Sequence, residues 1–263
     1  MARRYRRIRE VTGSSHLPAA LLLMRDLRNS PFETKFSSAT FGGVIHFRLG
    51  RKESDLAMLQ EQKRGEYLFD YGARPTTVLD LGANVGAAAR WFLATYPGCA
   101  VWAVEPDPNS FVLLSRNLAQ WPSSVVVRTA VSETGGIVEI ASGANGSAGN
   151  FVRSIRLEAV EDIGGGTGFD VTATTASSLQ ALLPDGCTDV LKIDIEGSEV
   201  EILSQAGLWF DRVRHVVVES HERHRPGCEA AIMALEEWFD LAERRGDVFH
   251  FSRVADRTAR SPA

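Results

Sequence analysis

The sequence predicts an α/β fold: a doubly wound, mostly parallel sheet behind a small N-terminal cap. Three observations carry that expectation. Apolar runs of four to seven residues alternate with amphipathic segments from Thr76 onward, which reads as successive right-handed βαβ units. A Gly-bearing turn joins the first of these strands, 77–81, directly to a helix over 87–93. The second strand, 100–104, ends on an acid, Glu105, about 20 residues beyond the turn.

With 263 residues the chain suffices for one large α/β domain with an appendage. Hydrophobic content of 44% and charged content of 24% are those of an ordinary globular protein. The net charge of −4 gives no reason to expect nucleic acid as a partner. Cys99, Cys187 and Cys228 are far apart and odd in number, so neither a disulfide framework nor a zinc spacing is present; a reduced cytoplasm is expected. The Arg-rich start and the apolar stretch 17–24 invite a signal-peptide reading. Pro18 interrupts that stretch, Arg25-Asp26 ends it, and no small-residue cleavage site follows, so a basic arm leading into a short amphipathic helix is expected. No run approaches the roughly 18 apolar residues of a membrane span.

In order, residues 41–49 alternate like a strand, with Gly42-Gly43 marking a hairpin or bulge. Ser54-Asp55 reads as the N-cap of a helix that Gly65-Glu66-Tyr67 closes, and Gly72 to Pro75 forms a boundary. This module is too small for a core of its own and is expected to pack over the sheet edge. After the first two strands come a helix over 109–120, a third strand over 125–131 and a shorter one over 137–140. Residues 141–170 are rich in Gly, Ser, Ala and Asn and read equally as a loose insertion or a substrate lid. A short helix over 177–183, a fourth strand over 189–197, a helix over 198–206 and a fifth strand over 215–219 follow. An amphipathic helix over 230–239 and a last strand over 248–251 close the pattern, and the tail from Asp256 is polar.

The turn reads Asp80-x-Gly82-x-x-x-Gly86, with free backbone N–H groups expected at the sheet's carboxyl edge. Asn84 stands where a dinucleotide fingerprint needs its close-approach glycine, which argues against NAD or FAD. A ligand without phosphates, made of an amino acid and a nucleoside, fits better. Glu105 can accept both ribose hydroxyls. Strand ends near the switch point also gather Ala130, Asp194, Glu196, Glu219 and His221. Asp194 can meet an ammonium or sulfonium cation or take a proton, although Asp194 and Glu196 can equally cap the following helix. His221 is a candidate base near neutral pH. A metal held by Asp194, Glu219, His221 and His224 is conceivable, but no spacing demands one, and none is expected.

These residues resemble the FkbM-type S-adenosylmethionine-dependent methyltransferases. The matching blocks are Val78-Leu79-Asp80-Leu81-Gly82-Ala83-Asn84-Val85-Gly86, Val104-Glu105-Pro106-Asp107-Pro108, Ala130-Val131-Ser132, Leu191-Lys192-Ile193-Asp194-Ile195-Glu196-Gly197-Ser198-Glu199 and Val217-Val218-Glu219-Ser220-His221. Arg48, Ser54-Asp55 and Glu66-Tyr67 extend the likeness upstream, whereas the Arg-rich start and the Gly-rich segment depart from it. The resemblance implies a class I methyltransferase (Rossmann-like) sheet of seven strands with a reversed final strand. The boundary at Gly72 to Pro75 divides the chain into a module of arm, helix and hairpin over 1–75 and a cofactor-binding domain over 76–263.

It further implies O-methylation of a sugar, polyketide or peptide-derived natural product, with S-adenosyl-L-methionine as cofactor. Gly82, Ala83, Asn84 and Gly86 would hold the methionine half, flanked by Asp80. Glu105 with Pro106 would take the ribose, Ala130 the adenine, and Asp194 would lie beside the reactive methyl. Asp194 and His221 are the catalytic candidates, with Glu219 orienting the imidazole. The expected partner is a small-molecule acceptor, without nucleic acid or membrane, in a monomer or a homodimer. Rival readings are N- or carboxyl-methylation, a nicotinamide oxidoreductase, and a nucleoside-binding protein of the same fold without turnover.

Overall fold

The computed structural model describes residues 32–49, 55–143, 146–156, 168–196, 198–204 and 208–253. The basic arm, the 17–24 stretch, Ser54, Gly197 and the tail from Asp256 lie outside these.

Seven strands form the central sheet: β3 (Thr77–Leu81), β4 (Ala100–Val104), β5 (Ser124–Val127), β10 (Thr188–Ile193), β11 (Val213–Glu219), β12 (Asp240–Arg245) and β13 (Val248–Ser252). Their order is β12-β13-β11-β10-β3-β4-β5. β5, β4, β3, β10 and β11 run parallel, and β13 is reversed between β11 and β12. The direction of winding switches between β3 and β10, so the cleft outside their carboxyl ends is the expected binding place.

Strand alternation divides the core. Leu79, Leu81, Leu191, Ile193, Val216 and Val218 pack with Leu179 of helix α4 (Ala176–Gln180), Ile202 of α5 (Glu199–Ser204) and Ile232 of α6 (Cys228–Met233). Val78, Val190, Val101 and Ala103 point the other way, onto Ala88, Ala89 and Phe92 of α2 (Ala87–Thr95) and Leu114 and Leu118 of α3 (Pro108–Leu118). Helices on both faces make the sheet doubly wound. Asp80 and Lys192 are register partners on the α2 face, and this period-2 placement brings their charges together inside the protein.

The N-terminal module begins earlier than its glycines indicate. β1 (Phe32–Ser38) pairs antiparallel with β2 (Gly43–Leu49), and α1 (Asp55–Lys63) follows. Phe36, Phe41, Ile45, Phe47, Leu49 and Leu59 bury one another against Ala87. The hairpin rests on α2 and α3 rather than on a sheet edge. Buried Arg90 of α2 donates to the carbonyls of Phe41 and Val44. Asn117 of α3 accepts from the His46 N–H and donates to the His46 carbonyl, each at 2.8 Å.

Two expectations need correction, and one strand was not anticipated. The apolar run 125–131 is two strands: β5 ends with its β4 partner at Val127, and β6 (Ala130–Val131) pairs instead with β9 (Gly168–Thr174). Thr129 makes that exchange, its hydroxyl donating to the Thr172 carbonyl at 2.8 Å. The segment 141–170 is in large part sheet. β7 (Gly136–Gly143) continues past residue 140, and β8 (Gly146–Arg156) and β9 join it in a four-stranded sheet ordered β6-β9-β7-β8. Residues 157–167 lie outside the described ones. Finally, β12 is a strand with the sequence Asp-Leu-Ala-Glu-Arg-Arg, in which no apolar alternation announces it. It is an edge strand, pairing only with β13, where the guanidinium of Arg244 lies 4.3 Å from the centre of the Phe249 ring.

Candidate active site

The turn after β3 is shaped by how closely the tips of β3 and β10 approach. Gly82 has φ +81°, and a Cβ there would lie 1.7 Å from the Asp194 carbonyl oxygen. Only glycine fits, for reasons of backbone and space together. The N–H groups of Gly82 and Ala83 both donate to the Val104 carbonyl, at 3.0 and 2.9 Å. Asn84 takes a left-handed conformation (φ 48°) and donates its N–H to Glu105 Oε2 at 2.8 Å. The N–H of Gly86 goes to the Ala83 carbonyl. The free N–H groups expected at Gly82, Ala83, Asn84 and Gly86 are therefore engaged within the fold, and these four offer no cradle to a phosphate.

Of the residues expected to hold a cofactor, Gly82, Asn84, Glu105, Pro106, Ala130 and Asp194 line one cleft, together with Met58, Ile140, Ile195 and Glu196. Ala83 packs inward against α2, and Gly86 caps that helix with φ +86°. Asp80 is fully buried and does not reach the cleft; its Oδ1 is 2.8 Å from Lys192 Nζ. Buried Lys192 also donates to the Gly82 carbonyl at 3.0 Å and lies 3.4 Å from Asp194 Oδ2. Burial opposes its charge, but Asp80 and Asp194 overcome that and raise its pKa. Glu105 is buried at the end of β4, where Asn84 and Asp107 donate to its two oxygens at 2.8 Å each. Burial pushes its carboxyl up to about 8 despite those bonds. Arg48 braces the turn from the hairpin, donating to Asn84 Oδ1 at 3.2 Å while Asp55 holds its guanidinium at 3.0 and 3.1 Å.

The acids beyond β10 and β11 surround His221. Its Nδ1 meets Oε1 of fully buried Glu199 at 2.9 Å. Its Nε2 is 3.8 Å from Asp194 Oδ1 and 3.5 Å from Glu196 Oε2. Burial alone would lower its pKa, but the Glu199 hydrogen bond and the Asp194, Glu199 and Glu196 charges raise it to about 10. Those carboxylates favour the imidazolium form, and Glu199, not Glu219, holds the imidazole Nδ1. The contact with Glu199 differs from the expectation that Glu219 orients the imidazole. Burial and then Asp194 push Glu196 up to about 8 and raise Glu219 well above its ordinary range. Glu66, bonded to the Gln62 amide, is pushed to about 8 by burial, then by Glu61 and Asp194. One ligand atom each from Asp194, Glu219 and His221 lies within 4.8 Å of the others. His224 is not in that group; its N–H donates to the His221 carbonyl.

Sequence reasoning gave no role to Arg48, Lys192, Glu66 or Glu199. Lys192 could have been found, because a lysine amid a buried apolar strand needs partners and the strand register supplies Asp80.

A five-stranded parallel run with a reversed strand inserted next to last, wound about a glycine turn and an acid-tipped second strand, defines a class I methyltransferase. Among the described residues no helix is long and apolar enough to cross a membrane. The chain belongs to the FkbM methyltransferase family: the family model described as "Methyltransferase FkbM domain" matches residues 80–249, more than half of it. It is accordingly an S-adenosylmethionine-dependent methyltransferase. Methyltransferase sdnD of Sordaria araneosa is 28% identical over 222 residues, covering 69% of this chain and 81% of that protein. Among solved structures, the SAH-bound Podospora anserina methyltransferase PaMTH1 aligns at 10% identity with a TM-score of 0.47, covering 92% of this chain and 97% of that one. The Methanococcus jannaschii fibrillarin pre-rRNA processing protein aligns at 13% identity and a TM-score of 0.43, over 84% and 82%.

Proposed function

We propose that the chain methylates a hydroxyl oxygen of an uncharged small molecule, with S-adenosylmethionine held in the cleft between Glu105 and Asp194. The observation that carries this is the donor set. Glu105 offers carboxylate oxygens for a ribose diol, and Ala130 with Ile140 offers an apolar flank for a base. Asp194 offers a negative charge for a cationic amino-acid portion, and the N–H groups of the turn are already spent. This set fits a nucleoside joined to an amino acid and does not fit a dinucleotide.

When bound, S-adenosylmethionine supplies a methyl group already activated on a sulfonium. The protein's part is to align the acceptor, exclude water and receive a proton. Asp194 is the carboxylate on the cleft, held by Lys192 at 3.4 Å and His221 at 3.8 Å. It accepts the proton leaving the acceptor oxygen, a contribution of about 10²–10⁴-fold. In the ion-free protein His221, fixed by Glu199, stands beside Asp194 and Glu196 without a close hydrogen bond to either.

The surrounding acids also speak to the acceptor. A carboxylate acceptor would add a further negative charge beside Asp194, where burial and the crowding of acids already raise the pKa values of Glu196 and Glu219, and an amine would be held as an ammonium without a nucleophilic lone pair. A neutral hydroxyl meets neither difficulty. Incubation with methyl-labelled S-adenosylmethionine and a panel of alcohols, amines and acids tests the reading. Label in alkali-stable ethers is the expected result. Label in alkali-labile esters or in amines would replace it.

A further inference from the structure

The acids around His221 come from separate segments: Asp194 and Glu196 after β10, Glu199 in α5 and Glu219 at the end of β11. Lys192 is committed to Asp80 and the Gly82 carbonyl and also stands 3.4 Å from Asp194. Buried Glu199 holds Nδ1 of His221, which leaves Nε2 of a side chain only 10% exposed directed between carboxylates. At 3.5 and 3.8 Å, the contacts of Nε2 with Glu196 and Asp194 are too long for good hydrogen bonds. A carboxylate on one ring nitrogen with the other aimed at oxygen ligands is the usual outer arrangement of a metal-binding histidine. Ligand atoms around an ion bound at roughly 2.1 Å stand about 3–4 Å apart. The Asp194, Glu219 and His221 atoms, all within 4.8 Å of one another, need only a small contraction.

We propose that Asp194, Glu219 and His221 form a site for a divalent first-row cation, with Glu199 as the positioning carboxylate behind the imidazole. Two carboxylates and one imidazole suit Mn²⁺ or Zn²⁺ better than Ca²⁺, whose ligands are all oxygen. In the ion-bound form His221 is neutral at Nε2 and donates from Nδ1 to Glu199. Asp194 borders the cleft, so the ion's remaining positions open toward the acceptor and suit an oxygen-bearing molecule. With the ion bound Asp194 would be a ligand instead of the proton acceptor, so only the choice of a hydroxyl acceptor carries over from the function proposed above; the binding of the ion does not rest on it.

Chelator-treated intact protein is titrated with Mn²⁺ while free Mn²⁺ is followed by electron paramagnetic resonance, and the same samples are titrated with S-adenosylmethionine. One Mn²⁺ per chain is expected. Glu219→Gln and His221→Ala should each weaken it at least 100-fold, and Glu199→Gln about 10–100-fold, in variants that still melt cooperatively. Asp194→Asn serves where one of these fails to fold. Absence of bound Mn²⁺ up to millimolar concentration overturns the site, as does binding that survives Glu219→Gln. S-adenosylmethionine binding without Mn²⁺ binding removes the ion and leaves the methyl-transfer reading. Mn²⁺ binding without S-adenosylmethionine binding keeps the ion and removes that reading.

Discussion

At the scale of single residues, Gly82 and Glu105 make opposite demands. Gly82 is required by space: its hydrogen points at the Asp194 carbonyl, so Gly82→Ala must push β3 and β10 apart. That variant should lose several degrees of melting temperature and bind cofactor poorly, as thermal melts and calorimetry would show; wild-type behaviour would mean that the tips separate freely. Glu105 is required by chemistry. Charge-assisted hydrogen bonds contribute about 1.5–3 kcal/mol each, so losing the ribose diol's acceptor in Glu105→Ala should weaken S-adenosylmethionine at least tenfold. Because burial raises the carboxyl to about 8, it holds its proton at pH 7 in the free protein. Hydroxyl donors favour the ionised form, so affinity should rise as pH approaches 8 and level off above it, with proton release at pH 7 visible as a buffer-dependent binding enthalpy. His221 gives a third residue-scale expectation. In ion-free protein its ring resonances should stay those of an imidazolium through pH 8 and titrate near 10. A titration near 6.5 would mean that Glu199 and Asp194 do not hold it.

At the scale of elements, the hairpin and the second sheet set the limits of what the sequence discloses. Asn117 of α3 ties β2 to the turn before α2 by three hydrogen bonds, with the His46 N–H, the His46 carbonyl and the Val85 carbonyl, each at 2.8 Å. At about 1 kcal/mol net per bond, Asn117→Ala should cost roughly 2–4 kcal/mol in denaturant unfolding, since buried partners are left unpaired. A loss under half a kcal/mol would show the hairpin to be held by its apolar contacts alone. β3, β4, β10 and β11 were legible because each carries consecutive buried apolar residues: Val78-Leu79, Ala103-Val104, Val190-Leu191 and Val216-Val217-Val218. β12 was not, because an edge strand tolerates Glu and Arg, and β1 hides its single buried Phe36 among polar residues. The break at Arg128-Thr129 was illegible for another reason: partner choice between two sheets leaves no trace in an apolar run. The glycine turn and Glu105 could be read locally. The charge of His221 could not, since Glu199 and Asp194 reach it from other segments.

At the scale of the whole molecule, the buried acids tie stability to pH. Glu66, Glu105 and Glu196 are each raised to about 8 from an ordinary 4.5, and His221 to about 10 from 6.5. A raised folded-state pKa gives stability that is complete below the unfolded value and is lost as pH rises through the folded one. The carboxyls therefore withdraw support between about pH 4.5 and 8, and His221 between about 6.5 and 10. Asp189 and Glu33, with lowered pKa values, act in the opposite sense and lose their contribution in acid. The melting temperature of ion-free, cofactor-free protein should fall steadily from pH 7 to pH 10; a flat or rising profile would contradict the buried-acid arrangement. The same charge pattern and the self-satisfied glycine turn together give the central claim, that the cleft selects a phosphate-free nucleoside carrying an amino acid. Calorimetric titration of the intact protein with S-adenosylmethionine, S-adenosylhomocysteine and NADH tests it most directly. The first two should bind with one-to-one stoichiometry and compete, and NADH should give no heat of binding. Saturable NADH binding with no response to S-adenosylmethionine would contradict the account.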